Sequence, residues 1–198
     1  YLVSAFCDKS QATYASAMNS TERLSLVESF APLDDHERKA QEDTIHFLKT
    51  TPGVPWSRKN FEDGHVCASA WIVNHEGTKA LLFYHKKLEK WIQIGGHIES
   101  EDTNFFSAAE REVREETGLT EFSCERTIFD IDVHVYPPKD DEPEHMHYDL
   151  RVLIRVYAGK EDSIVETESG LQWIPLEEIP SMNSDESVMH SARKSQRT

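Results

Sequence analysis

The stretch GGHIESEDTNFFSAAEREVREETGL, Gly95 to Leu119, holds the residues on which the fold turns. Placed on a helix at about 100° per residue, Phe106, Ala109 and Val113 form one apolar stripe that belongs against a core. Glu112 and Glu116 are one turn apart beside that stripe and Glu115 adjoins them, so the three carboxylates fall within an arc of about 100°. Like charges at i,i+4 repel, and Glu116, about 60° from the centre of the stripe, is costly to bury unpaired. A bound cation removes both penalties, and hard oxygen donors suit magnesium or manganese better than zinc. The plain alternative is a solvated helix face laced by salt bridges to Arg111 and Arg114. Upstream, Gly95-Gly96 allows another group to approach closely, with a carbonyl free to ligate or an amide free to donate to phosphate. Gly118 stands where a left-handed residue ends a helix.

Short strands surround this helix. Val66–Val73 and Lys79–Tyr84 are apolar runs joined by Asn74-His75-Glu76-Gly77, a hairpin signal. Trp91–Ile94 reads as a third strand leading into the glycine pair. Thr127–Tyr136, His147–Tyr157 and Leu171–Ile174 read as later strands, and helical pieces are expected near Leu176–Ile179 and Asp185–Lys194. The first roughly 50 residues read as helical. Leu24, Val27 and Phe30 share a face that Pro32 ends, and Asp34 or Asp35 can cap a second helix reaching about Thr50. The turn-rich TPGVPWSR, Thr51 to Arg58, marks a boundary between a helical extension, 1–58, and a catalytic domain, 59–198. On that boundary, removal of the first 58 residues is expected to leave a folded domain. One helix amid strands makes the class α+β, not a repeating βαβ array.

Composition narrows the function. The chain of 198 residues carries a net charge of -15, which repels nucleic-acid backbone and anionic lipid. Duplex nucleic acid and membrane are therefore excluded as partners, and a phosphate-bearing substrate needs cations to approach. Tyr1 to Asp8 is too short and too poorly flanked for a secretory signal, and a chain starting at Tyr1 is expected to lack its native N-terminus. Cys7, Cys67 and Cys124 form neither a disulfide framework nor a zinc knuckle, which suits a reducing cytoplasm.

The stretch from Gly95 to Leu119 resembles the Nudix box, whose second half is matched throughout by Arg111-Glu112-Val113-Arg114-Glu115-Glu116-Thr117-Gly118-Leu119. The first half departs. The spacing from Gly96 to Arg111 is one residue longer than the standard box, and the position usually held by Glu is best matched by Asp102, to which the resemblance assigns no role. The order of strands, glycine pair, helix and the later Trp173-Ile174-Pro175-Leu176 also follows the family, from about Gly64 onward.

The resemblance implies an α/β/α sandwich, a mixed sheet with a central catalytic helix. It implies a hydrolase that uses Mg2+ or Mn2+ to cleave a pyrophosphate linkage in a nucleoside diphosphate joined to another moiety. Its metal ligands here would be Glu112, Glu115, Glu116 and the Gly95 carbonyl, with Arg111, Gly96 and Gly118 as structural members of the motif. Some members use a box glutamate as general base, which makes Glu112 and Glu115 candidates. Others use a late-loop glutamate, and Glu168 is preferred over Glu166. The partner expected is a small nucleotide-type molecule, with a homodimer as the assembly open to it. The competing class is a Nudix-fold nucleotide-binding or regulatory protein without turnover, which has no reason to keep all three carboxylates. Isomerisation of isopentenyl diphosphate needs a reactive Cys, and Cys67 sits mid-strand with no motif around it.

A second constellation lies downstream. Alternation puts His145, His147 and Asp149 on one strand face, and Asp130, Asp132 and His134 on one face of the preceding strand. Three readings stay open: the polar face of a half-exposed sheet, a substrate contact through His147 and Asp149, or a second, transition-metal site. Phe83, Trp91 and Trp173 read as core or rim in preference to base-stacking platforms.

Overall fold

A computed structural model describes residues 20–138, 141–164 and 170–197. Helices α1 (Ser20–Glu28) and α2 (Asp35–Thr50) precede strands β1 (His65–Val73), β2 (Lys79–His85), β3 (Lys90–Ile92) and β4 (Ile94–His97). Helix α3 (Phe105–Thr117), strands β5 (Phe122–Tyr136), β6 (His145–Val156) and β7 (Leu171–Pro175) and helix α4 (Glu186–Ser195) follow. The strands form one seven-stranded sheet with the path β3-β2-β1-β6-β5; β4 pairs with β1 and β7 with β2. Among the described strands, β1 and β6 pair in parallel and the other pairings are antiparallel, so the sheet is mixed and the class is α+β, as expected.

Alternation along β1 decides what covers each face. Val66, Ala68, Ala70 and Ile72 point to one side, with Leu150, Val152 and Ile154 of β6, and pack against Phe105, Ala109 and Val113 of α3. Trp71 and Val73 point to the other side, with Leu153 of β6, and meet Val188 and Ala192 of α4. Two helical layers therefore enclose the sheet. The apolar filling of the second face stops at Trp71; ahead of it the same face carries Ser69, Cys67 and His65, all buried.

Several boundaries differ from expectation for local reasons. Strand β5 begins at Phe122, because Phe122 to Cys124 pair with Val156 to Ile154 before an irregular register between Cys124 and Ile128. The third strand splits at Gln93, where pairing passes from β2 to β1, and the glycine pair lies inside β4. Where a helical piece is expected near Leu176–Ile179, the chain forms a 3-10 turn, Ile179–Ser181, with Pro at its start. Phe83, Trp91 and Trp173 pack against the two cores, partly buried. Among the described residues, no helix is long and apolar enough to cross a membrane.

Asp34 caps α2 by accepting from the Glu37 amide at 2.9 Å. The helix is then bound to the sheet in three ways. Val27, Phe30, Ala40 and Phe47 belong to the same core as Val66, Ile131 and Leu150. Phe47 stacks on Tyr148 at 4.0 Å between centroids. Glu37, fully buried, pairs with Lys194 of α4 at 2.6 Å. From this shared core we propose an outcome for truncation opposite to the one drawn from the turn-rich boundary. Loss of a buried Phe side chain alone costs about 3–5 kcal/mol. Removal of residues 1–58 is therefore expected to abolish cooperative melting or solubility. A truncated chain that still melts sharply at a similar temperature would show that the two helices contribute little.

Candidate active site

Helix α3 starts at a capping box. The Asn104 side chain accepts from the Ser107 amide at 3.0 Å, and Ser107 Oγ accepts from the Asn104 amide at 3.0 Å. It ends at Gly118, with φ of 73°, whose amide donates to the Arg114 carbonyl. Phe106, Ala109 and Val113 face the core as their spacing requires, which leaves the glutamates at the helix edge beside β4.

Arg111 organises that edge. Its Nη2 donates to Asp102 Oδ2 and to the His97 carbonyl, both at 2.9 Å, and its Nε reaches Asp102 Oδ1 at 3.1 Å. Its Nη1 donates to Glu112 at 2.8 Å and to Glu115 at 3.0 Å. Asp102, buried at 5% exposure, also accepts from the Glu99 amide at 2.8 Å, which closes the loop before the helix. The fork of donors thus ties helix, loop and β4 together, and the Asp102 bond holds the guanidinium in its charged form.

Glycine is required at the facing strand. A Cβ at Gly96 would lie 2.6 Å from the Glu112 carboxylate, and one at Gly95 would lie 2.5 Å from Ser69 Cβ. The Glu112 carboxylate therefore rests directly on the β4 backbone. Burial raises the pKa of Glu112, and Arg111 opposes the rise. Glu116 meets solvent as a residue, yet its carboxyl is crowded. Desolvation pushes it up to about 7, the charge of Glu112 adds to the effect, and the Gly95 amide opposes it. Two acidic groups thus meet one glycine backbone, and Arg111 draws the third, Glu115, toward Glu112. Such oxygen donors fit a hard divalent cation.

A family model, the NUDIX domain, matches residues 63–192. The chain belongs to the NUDIX family. Solved structures resemble the chain at low identity and with TM-scores under 0.5. The Ap4A hydrolase of C. elegans is 16% identical, covering 67% of this chain and 96% of that one, with a TM-score of 0.48. A NUDIX-family hydrolase from Clostridium perfringens is 21% identical, covering 68% and 98%, with a TM-score of 0.45. The NUDIX domain of Shewanella oneidensis NrtR, solved with ADP ribose, is 17% identical, covering 77% and 96%, with a TM-score of 0.46. Similarity at this level says nothing of substrate. No curated protein matches the chain at a significant level.

The Nudix helix and β4 bring together Gly95, Gly96, Arg111, Glu112, Glu115 and Glu116, while Gly118 caps the far end of that helix. Glu166 and Glu168 lie outside the described residues. His147 and Asp149 are buried at 7% and 3% exposure, and Asp149 is bound to Ser69 at 2.7 Å and Arg151 at 3.2 Å.

Sequence reasoning missed two features of the Nudix fold here. Asp102 is the anchor of Arg111, legible only as an acid displaced by one residue from its usual place. Arg151, with no exposure, joins Asp130 and Asp149 at 3.2 Å each and reaches Ser191 of α4 at 2.5 Å. Its signal was the surplus of acids on facing strands, which require a buried cation between them.

Proposed function

We propose that this Nudix protein is a metal-dependent hydrolase that cleaves a pyrophosphate linkage in a nucleoside diphosphate joined to another moiety. The observation that carries it is that Glu112 and Glu116 meet the Gly95–Gly96 backbone while Glu115 joins them through Arg111, itself held in place by Asp102. A binding protein without turnover gains nothing from this cluster, whose like charges repel. Magnesium bound there supplies neutralisation of the diphosphate charge and a site for the attacking water. Glu112, Glu115, Glu116 and the Gly95 carbonyl would hold it. Arg111 and Asp102 fix the orientation of Glu112, and the absence of a side chain at Gly96 lets its carboxylate lie against β4. The free thiols of Cys67 and Cys124 fit a reducing cytoplasm.

The metal requirement has a pH signature. Glu116 ordinarily titrates at 4.5, and its folded pKa is pushed up to about 7. The stability associated with its protonated form is therefore present below 4.5 and lost as pH rises through about 7. Magnesium binds the ionised form, so the rise in melting temperature of chelator-treated protein should be larger at about pH 8 than at about pH 6. Saturation to 100 times Kd corresponds to about 2.7 kcal/mol. A melting temperature indifferent to magnesium at both values contradicts the assignment.

For the general base we propose Glu168, on its place in the sequence ahead of Trp173. A base acts in the transition state, so Glu168→Gln should lower kcat about 100-fold with metal affinity and KM nearly unchanged. Higher pH should restore part of the rate, since hydroxide replaces the activated water. Glu166→Gln should be mild. Near-normal kcat in the Glu168 variant returns the role to Glu112 or Glu115.

A further inference from the structure

We propose that His65, Cys67, His97 and His147 form a second metal site, distinct from the carboxylate cluster, for a transition-metal dication of the zinc class. The sheet register itself builds it. His65 is paired with His147 across the parallel β1–β6 ladder, and Cys67 with His97 across the antiparallel β1–β4 ladder. Residues 65 and 67 share a face by alternation, so two neighbouring rows on three adjacent strands present three imidazoles and a thiol as one block. One donor atom from each lies within 4.8 Å of the others. That spacing needs only side-chain adjustment to reach tetrahedral coordination at about 2.0–2.3 Å from the ion.

Two further observations point to a ligand. His65 has no exposure, and neither of its ring nitrogens makes a hydrogen bond of ordinary geometry, although the Asn60 backbone polarises the ring. Asp149, the other cross-strand neighbour of Cys67, keeps Oδ1 buried with no partner. Buried polar atoms are ordinarily satisfied, and a cation among them supplies what the protein does not.

The surroundings orient His147. His145 Nδ1 lies 2.6 Å from the Pro143 carbonyl, which only accepts, so that nitrogen carries a proton. In the neutral ring His145 Nε2 is then an acceptor, and its 3.0 Å contact with His147 Nε2 places the second proton there. His147 Nδ1 keeps its lone pair. A ligating histidine commonly donates its other N–H to a supporting group in this way, which makes His145 a positioning residue.

The donor chemistry separates the two sites. Neutral imidazole and thiolate select zinc-like ions, whereas carboxylates and carbonyls select magnesium. On binding, the Cys67 S–H bond breaks, its proton passes to solvent and the thiolate pair is donated to the metal. Four protein ligands would close the coordination sphere and pin β4, with its glycine pair, to β1 and β6. The second acidic and histidine group, Glu37, Asp130 and His190, is different: Lys194 and Arg151 already neutralise it.

The test is titration of Co2+ into the chelator-stripped full chain carrying Cys7→Ser and Cys124→Ser, in excess Mg2+, followed by absorption. One equivalent should produce the intense visible bands of tetrahedral cobalt and a thiolate-to-cobalt charge-transfer band in the near ultraviolet. Zn2+ should bleach both. Cys67→Ser should remove the charge-transfer band, and His97→Gln, on a partly exposed position, should weaken binding more than the roughly 10–100-fold typical of losing a supporting contact. Glu112→Gln should leave the spectrum unchanged. Circular dichroism of the metal-free variants separates lost binding from lost fold. Absence of a thiolate band in the folded parent, or cobalt binding lost with Glu112→Gln and kept with Cys67→Ser, overturns the proposal. Because cobalt spectra do not depend on turnover, this result stands apart from the hydrolase assignment.

Discussion

Glu116→Gln is expected to lower turnover more than about 100-fold, beyond the loss typical of an outer-sphere partner, and to leave the metal-free fold intact or slightly more stable. The two effects share one cause. The Glu116 carboxyl is held in a crowded place beside Glu112, with its pKa pushed up to about 7. An amide of the same shape removes the unfavourable charge, and its carbonyl oxygen can still accept from the Gly95 amide. The charge removed is the one the metal requires. Steady-state kinetics and a melting curve on the same preparation separate the two. Retention of more than about a tenth of the wild-type kcat, a loss smaller than even a supporting partner gives, would remove Glu116 from the ligand set.

Arg151→Met should have the largest effect on stability among single substitutions in the sheet. Arg151 is fully buried between Asp130 and Asp149 and also donates to Ser69 and Ser191. Its removal leaves Asp149 without a counter-ion and Asp130 with His190 alone; breaking a buried pair in this way costs about 3–5 kcal/mol. Charge, not volume, is the cause assigned, since Met fills much of the same space. Adding Asp130→Asn and Asp149→Asn to Arg151→Met should accordingly recover part of the loss. Chemical denaturation of the single and triple variants measures both. A triple variant less stable than the single one would show that the arginine serves packing or the hydrogen bonds to Ser69 and Ser191 above all.

The part of the molecule legible in the sequence is the part whose contacts are local. The apolar stripe of α3 and its left-handed end at Gly118 each depend on residues within a few positions. So does the crowding of Glu112, Glu115 and Glu116 on one helix edge. The hairpin between β1 and β2 and the alternation of His145, His147 and Asp149 are local as well. What the sequence hid depends on pairing over long separations. Nothing in the chain announces that β1 lies parallel to β6, yet that register sets His65 against His147 and Cys67 against Asp149. Cys67 read as an isolated mid-strand thiol for that reason. The same holds for α2. Its turn-rich exit at Thr51 to Arg58 resembles a linker, but Phe47 stacks on Tyr148 and Glu37 pairs with Lys194, contacts spanning most of the chain. Asp102 was hidden by the single residue that lengthens the loop ahead of the helix, although its bond to Arg111 at 2.9 Å performs the anchoring.

The central claim is that the carboxylate edge of α3 binds a divalent cation and breaks a pyrophosphate bond. The measurement that tests it most directly is product analysis of the full chain with nucleoside diphosphates linked to a second group. Dinucleoside polyphosphates, nucleotide sugars and ADP-ribose form the panel, each with magnesium and with chelator. The account predicts magnesium-dependent appearance of two phosphorylated products from at least one of them, and none after chelation. Saturable binding of such a compound with no bond broken in magnesium or manganese would contradict it and identify a nucleotide-binding protein on the same fold.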